Sequence, residues 1–223
     1  MMDLGVTLHI LGNIMWHSVV EQHWGANNID DNVALLEMDL RKWEKRTRSE
    51  HKLQGSLTKE RLRNSSGFPK LKAKGAQSRH LAPYALHLAL EMDDGTDSSR
   101  LIVAVAQLLV EFYDLLAGAS EFFTQTVAEK FHCVCFNMML IYAELSVLAA
   151  NSDVKAWKFI PKMHLLQHLP RQADMRGNPS YSWCYADEDL VGMAIDIAQG
   201  SHWSTVEVTA LVKWLICCFD TES

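Results

Sequence analysis

Leu101-Ile102-Val103-Ala104-Val105-Ala106-Gln107-Leu108-Leu109-Val110-Glu111-Phe112-Tyr113-Asp114-Leu115-Leu116 is the stretch that decides the fold class. Leu101, Val105, Leu108, Phe112 and Leu115 recur every three or four residues, with Gln107, Glu111 and Asp114 opposite them. That is the period of a helix with one face turned to a core. Asp97 or Ser98 is placed to cap its start, and Gly118 to stop it. A longer partner follows through Val127, Phe131, Val134, Met138, Ile141, Leu145 and Leu148 up to Asn151. Two such stripes on a short connection are expected to pack antiparallel.

Outward from this pair the same period returns. Leu4, Leu8, Leu11 and Met15 mark a first amphipathic helix, and Ile29, Val33, Leu36, Leu40 and Trp43 a second. Ser204-Thr205-Val206-Glu207 has the spacing of a capping box and opens a final helix through Leu211, Trp214, Leu215 and Cys218. No stretch alternates as a half-buried strand does. Residues 49–75, with Gly55, Ser65-Ser66-Gly67 and Pro69, lack a period and read as a basic loop. The expectation is an all-α, irregular bundle of about six to eight helices. It forms a single domain over 1–223: an N-terminal helical pair (1–48), the basic connector (49–75), a central bundle (76–160) and a C-terminal region (161–223).

Composition bounds the rest. With 223 residues, 48% of them hydrophobic, the chain is long enough to bury a sizeable core. Cys133, Cys135, Cys184, Cys217 and Cys218 form neither a Cys-x-x-Cys pair nor a disulfide-rich layout, which fits a reducing, intracellular setting. The N-terminal residues do not read as a secretory signal, so Asn64-Ser65-Ser66 is an unused glycosylation triplet. Phe131 to Ala150 approaches spanning length, but His132, Asn137 and Glu144 lie inside it, and a buried core helix rather than a membrane span is expected. Charge is uneven. Arg41 to Arg79 holds thirteen Lys or Arg against Glu44, Glu50 and Glu60, a local +10, which leaves −16 for the remainder of a chain whose net charge is −6. Such asymmetry points to a polyanion-facing segment, or to a solvated helix end followed by a loop.

Residues with chemical potential concentrate between Lys162 and Gln199. His164 and His168, four apart, share one helical face and have zinc-ligand spacing, with Cys184 or His202 as the third ligand. The ordinary alternative places both rings in or beside the core. There is no His-Glu-x-x-His, no phosphate-binding Gly-rich loop and no Gly-x-Ser-x-Gly, which removes those enzyme classes. Asp187-Glu188-Asp189 precedes Leu190, Ile195 and Ile197 and reads as the acidic start of a helix, favoured there by the backbone dipole.

In order along the chain, Asp3-Leu4-Gly5-Val6-Thr7-Leu8-His9-Ile10-Leu11-Gly12-Asn13, Pro69-Lys70-Leu71-Lys72-Ala73-Lys74 with Arg79-His80-Leu81, Pro161 to His164 with His168-Leu169, and Trp183 to Gly192 form a pattern. It resembles the C-terminal part of eukaryotic cut-and-paste DNA transposases with a ribonuclease-H-like core, of the Kyakuja-Dileera-Zisupton type. The resemblance implies that Glu188 holds the position of the third catalytic carboxylate, with Gly192 as its companion. It also implies that Leu4 to Gln199 is an all-α insertion and that the family's two aspartates belong before Met1. One carboxylate does not hold two metal ions about 3.5 to 4 Å apart. Residues 1–223 alone are therefore expected to be inactive, with Glu188 vestigial, and Mg or Mn would enter only with carboxylates supplied in trans. The resemblance further implies a nuclear protein that touches DNA nonspecifically through Arg41, Lys42, Lys45, Arg46, Arg48, Lys70, Lys72, Lys74 and Arg79, with Trp43, Phe68 and His80 interleaved. The competing expectation is a helical interaction module that takes a protein partner or a second copy on exposed apolar helix faces.

Overall fold

The structure, a computed structural model, describes residues 3–49, 51–182, 204–209 and 211–212. The all-α expectation holds. Among these residues the one extended pairing is an isolated antiparallel bridge between Arg63 and Pro69. A π-helical turn (Asp3–Thr7) runs straight into α1 (Leu8–Val20), followed by α2 (Ile29–Thr47), the one-turn α3 (Lys59–Leu62), α4 (Gly75–Glu91), α5 (Asp97–Gly118) and α6 (Gln125–Asn151). A 3-10 turn (Pro161–His164), α7 (Leu165–Arg176) and a second 3-10 turn (Pro179–Ser182) follow. The chain divides into two compact units, Met1–Tyr181 and Ser182–Ser223. In the second, residues 206–209 and 211–212 are helical, and the Thr209 N–H donates to the Thr205 carbonyl at 2.8 Å, where the Ser204 to Glu207 spacing places a helix start. Its expected continuation through Trp214, Leu215 and Cys218 lies outside the described residues.

Within the first unit α7 packs on α6, α6 on α5, α5 on α4 and α4 on α1. α5 and α6 make the most extensive contact, joined through Phe112 and Phe131, whose rings lie 5.3 Å apart. Thr96 and Thr124 cap these two helices by accepting the Ser99 and Val127 N–H groups. The expected cap at Asp97 or Ser98 is thus moved to the residue before them. Of the expected stripe Val105 and Phe112 are buried, and Ile102, Leu109 and Leu116 are buried with them, while Leu101, Leu108 and Leu115 are only half-buried. In α6 the inward face likewise adds Cys135, Tyr142 and Ala149 to Phe131, Val134, Met138 and Leu145. Val127, Ile141 and Leu148 are half-buried.

α1 corrects the amphipathic reading of its sequence. Leu8, Ile10, Leu11, Ile14, Met15, Trp16 and Val19 are buried all round it, together with the polar His9, Asn13 and Ser18. A helix wrapped on every side needs its polar groups satisfied. Asn13 donates to the His9 carbonyl at 2.7 Å and accepts the Trp157 N–H at 2.6 Å, and Ser18 donates to the Met15 carbonyl at 2.7 Å. Thr7, just before the helix, shares a 2.8 Å hydrogen bond with the Tyr113 hydroxyl.

Residues 49–75 are more than a solvated connector. Leu53, Leu57, Leu62 and Leu71 are buried. The strand-like piece at Lys70-Leu71 crosses α1 at Gly12, where the Leu71 N–H donates to the Leu8 carbonyl at 2.9 Å. A Cβ at Gly12 would stand 2.6 Å from Leu71 N and from Lys70 Cα. Glycine is what allows the two backbones to meet. The other end is fixed by Arg41, which donates to the carbonyls of Leu53 at 2.5 Å and Gly55 at 2.6 Å, and by buried Glu44, which accepts the Leu53 N–H at 2.7 Å.

Candidate functional site

The fold sorts the basic run into cations used internally and cations left for solvent. Arg41 is spent on Glu37, Glu44, Leu53 and Gly55. Arg61 donates to the carbonyls of Lys72 and Ser56, and Arg63 holds the Gly67 carbonyl while its guanidinium lies 4.6 Å from the Trp16 ring centroid. Lys59 pairs with Asp30 at 2.7 Å. By contrast Lys42, Lys45, Arg46 and Arg48 project from the last turns of α2, exposed, and have no ion-pair partner among the described residues. The C-terminal end of a helix favours cations by itself. Lys72 and Lys74 are exposed, and Lys70 and Arg79 are half-buried. Two aromatic residues expected between these charges point elsewhere: Trp43 packs on buried Tyr84 at 5.5 Å and His80 on His51 at 4.6 Å.

A second basic group is formed by loops distant in sequence. Lys158 reaches the Phe68 ring at 5.2 Å, and the Lys155 stem passes 3.7 Å from where a Gly67 Cβ would stand. Lys162 lies over Gly5, its Cδ 3.0 Å from where a Cβ would stand. The field of Lys70, Lys158 and Lys162 falls on one ring, His9. Burial, then Lys70 and Lys158, push the His9 pKa down to about 4, against the pull of a hydrogen bond to the Pro69 carbonyl. Its Nδ1 is buried with no hydrogen-bond partner. Sequence reasoning passed over His9, Lys155, Lys158 and Lys162. The closely spaced Lys155, Lys158 and Lys162 were the available signal.

His164 and His168 come together, their rings 5.7 Å apart and nearly perpendicular. Both are exposed, which corrects the reading that places them in the core. His164 Nδ1 is engaged by the Pro161 carbonyl. Among the described residues no three His, Cys, Asp or Glu side chains are grouped to hold a metal ion. Glu188, with Asp187, Asp189, Cys184 and His202, lies outside the described residues, so the carboxylate position for Mg or Mn is not placed. Elsewhere a shallow groove of about 370 Å³ runs along Leu86, Gln107, Val110, Glu111, Asp114, Leu115 and Lys130. Lys130 and Glu111 close on each other there at 3.0 Å.

No family model, no characterised protein and no solved structure matches this chain.

Proposed function

We propose that this chain is a transposase-like helical protein that contacts DNA nonspecifically through the phosphate backbone and does not cleave or join strands on its own. What supports the reading most is the row Lys42, Lys45, Arg46 and Arg48, four solvent-facing cations on one helix end with no ion-pair partner among the described residues. Such a row attracts phosphates and releases their counterions, so affinity falls steeply with salt. Sequence is not read, because backbone contacts carry no base information. The remaining link to strand chemistry is the motif resemblance at Glu188. The test is fluorescence anisotropy of a labelled duplex across salt concentrations. Neutralising Lys42, Lys45, Arg46 and Arg48 together is expected to reduce the logarithmic salt slope by about 3 to 4. Affinity that does not change with salt refutes DNA contact. Metal-dependent nicking that vanishes in Glu188→Gln refutes inactivity.

A second reading, a helical module that binds another protein, is favoured by α6. Only 33% of its most apolar stretch is buried, and Phe136, Leu140 and Val147 stand exposed along it. Glu144 on the same helix makes lipid a poor cover for that face. Concentration-dependent self-association, lost in Leu140→Glu, would support this reading.

A further inference from the structure

We infer that His164 and His168 form a surface site for a divalent transition-metal ion of the nickel, copper or zinc type, with the two imidazoles as its protein ligands and water in the remaining positions. It does not rest on the function proposed above, since neither DNA nor strand chemistry enters it. His164 ends the 3-10 turn before α7 and already has helical backbone angles (φ −63°, ψ −22°), and His168 lies in the first turn of α7. Four residues of helical backbone put both side chains on one face. Their ring centroids are 5.7 Å apart and the ring planes stand at 82° to each other. Two imidazoles bound at about 2.1 Å to one ion have centroids about 5 Å apart, so each ring need move by less than about 1 Å to share it. Both residues are exposed, which leaves room for that movement and for the water ligands.

One ring is already oriented. His164 Nδ1 meets the Pro161 carbonyl, an atom that only accepts, so Nδ1 carries the proton and Nε2 keeps its lone pair. Metal-ligating histidines give their second ring nitrogen to a carbonyl or carboxylate in the same way, which sets tautomer and ring direction. The turn that supplies this carbonyl is anchored at Met163, whose side chain is fully buried and whose N–H donates to the Ile160 carbonyl at 2.9 Å. His168 makes no hydrogen bond or ion pair among the described residues, so its ring is free to follow. Imidazole selects the ion: it suits nickel, copper and zinc, whereas magnesium and calcium take oxygen ligands. The start of α7 disfavours a cation, but at an exposed position by about fivefold at most. His23 and His87 approach Glu91 at 3.6 and 3.5 Å, each against a different carboxylate oxygen, which is the arrangement of two ion pairs and supplies the control.

The experiment uses the full chain, freed of metal with a chelator and titrated by calorimetry with Ni2+, Co2+ and Mg2+. Expected is one tightest site per chain, with Ni2+ bound more tightly than Co2+ and Mg2+ not bound there. His164→Gln and His168→Gln, both at exposed positions, should each lower Ni2+ affinity at least about tenfold. The paired change His23→Gln, His87→Gln should leave it as it was. Hydrogen exchange is the second measurement: Ni2+ bridging the first turn should slow the α7 amides in the wild type and not in either single variant. The site is refuted if the wild-type chain binds no Ni2+, if binding survives the double change His164→Gln, His168→Gln, or if the tightest site is lost with His23 and His87 instead. Ni2+ that binds without slowing the α7 amides refutes it as well.

Discussion

Adding one methyl group at Gly12 tests whether the basic segment is truly docked on α1. In Gly12→Ala the new Cβ would stand 2.6 Å from Leu71 N and Lys70 Cα and 2.7 Å from Lys70 N. Ordinary contact begins near 3.4 Å, so the two backbones must part by about 0.8 Å. All three atoms are main chain, and no rotamer change absorbs the strain. Overpacking of this kind costs about 1 to 3 kcal/mol, and stretching the Leu71 to Leu8 hydrogen bond adds about 1. Alanine's better helix propensity returns about 1, leaving a net loss of about 2 kcal/mol. Urea unfolding should show a lower midpoint with an unchanged slope, since the same surface is exposed on unfolding.

Gly118→Ala is the matched control, because a Cβ there meets nothing within 4 Å. It should be neutral or slightly stabilising. Hydrogen exchange gives a second readout: the Leu71 amide, protected by the Leu8 carbonyl in the wild type, is expected to exchange faster in Gly12→Ala. An unshifted midpoint in Gly12→Ala, together with a Leu71 amide that exchanges as before, would show that Lys70-Leu71 does not cross α1.

Stability should fall as pH drops from about 6.5 to about 4, because folded His9 stays neutral to about 4 while the unfolded ring takes a proton at 6.5. The loss is on the order of 2 kcal/mol after allowance for solvent near the ring, His17 adds in the same direction, and no such dependence should appear above 6.5; a flat thermal midpoint across that window would refute the burial of His9. Glu44→Ala strands the Leu53 N–H and frees Arg41, and should cost about 2 to 4 kcal/mol by urea titration, with Glu44→Gln about half as harmful. Asn178→Ala removes the side-chain donor to the Leu116 and Ala119 carbonyls and the acceptor for Ser180, and is expected to cost about 2 kcal/mol; a loss below about half a kcal/mol would mean that the turn after α7 is not anchored to α5.

Much of the helical architecture was legible because its signal is local. The stripes of α5 and α6 repeat at the period the helix imposes, and their ends at Gly118 and Asn151 were read correctly. Their phase was legible only in part, for a physical reason. Leu108-Leu109 and Leu115-Leu116 are neighbouring apolar pairs, so two adjacent faces satisfy the same pattern, and only packing against α4 and α6 selects Leu109 and Leu116. α1 was misread because Asn13 and Ser18 count as polar in a sequence, whereas in the fold they spend their hydrogen bonds on α1's own carbonyls and on Trp157. Residues 49–75 showed no period because their order comes from Arg41, Glu44 and α1, all outside the segment. The Lys158 and Lys162 group was hidden for the same reason, since charge counted in a window does not register loops that meet only in space.

Within the basic run, which cation does which work follows from side-chain chemistry. Arg41, Arg61 and Arg63 turn to main-chain carbonyls, where a planar fork with several donors reaches two or more acceptors at once. Apart from Lys59, which pairs with Asp30, none of the lysines of the run between Lys42 and Lys72 has an ion-pair partner among the described residues, because a single ammonium on a flexible stem gains little from a surface contact. The local charge of +10 therefore overstates what a polyanion meets. Subtracting the three arginines already engaged with backbone, and Lys59 with its acid, leaves nine of the thirteen, of which Lys42, Lys45, Arg46 and Arg48 stand together at the end of α2. A row of free charges on one helix end gives affinity that is steep in salt and indifferent to the shape of the anion.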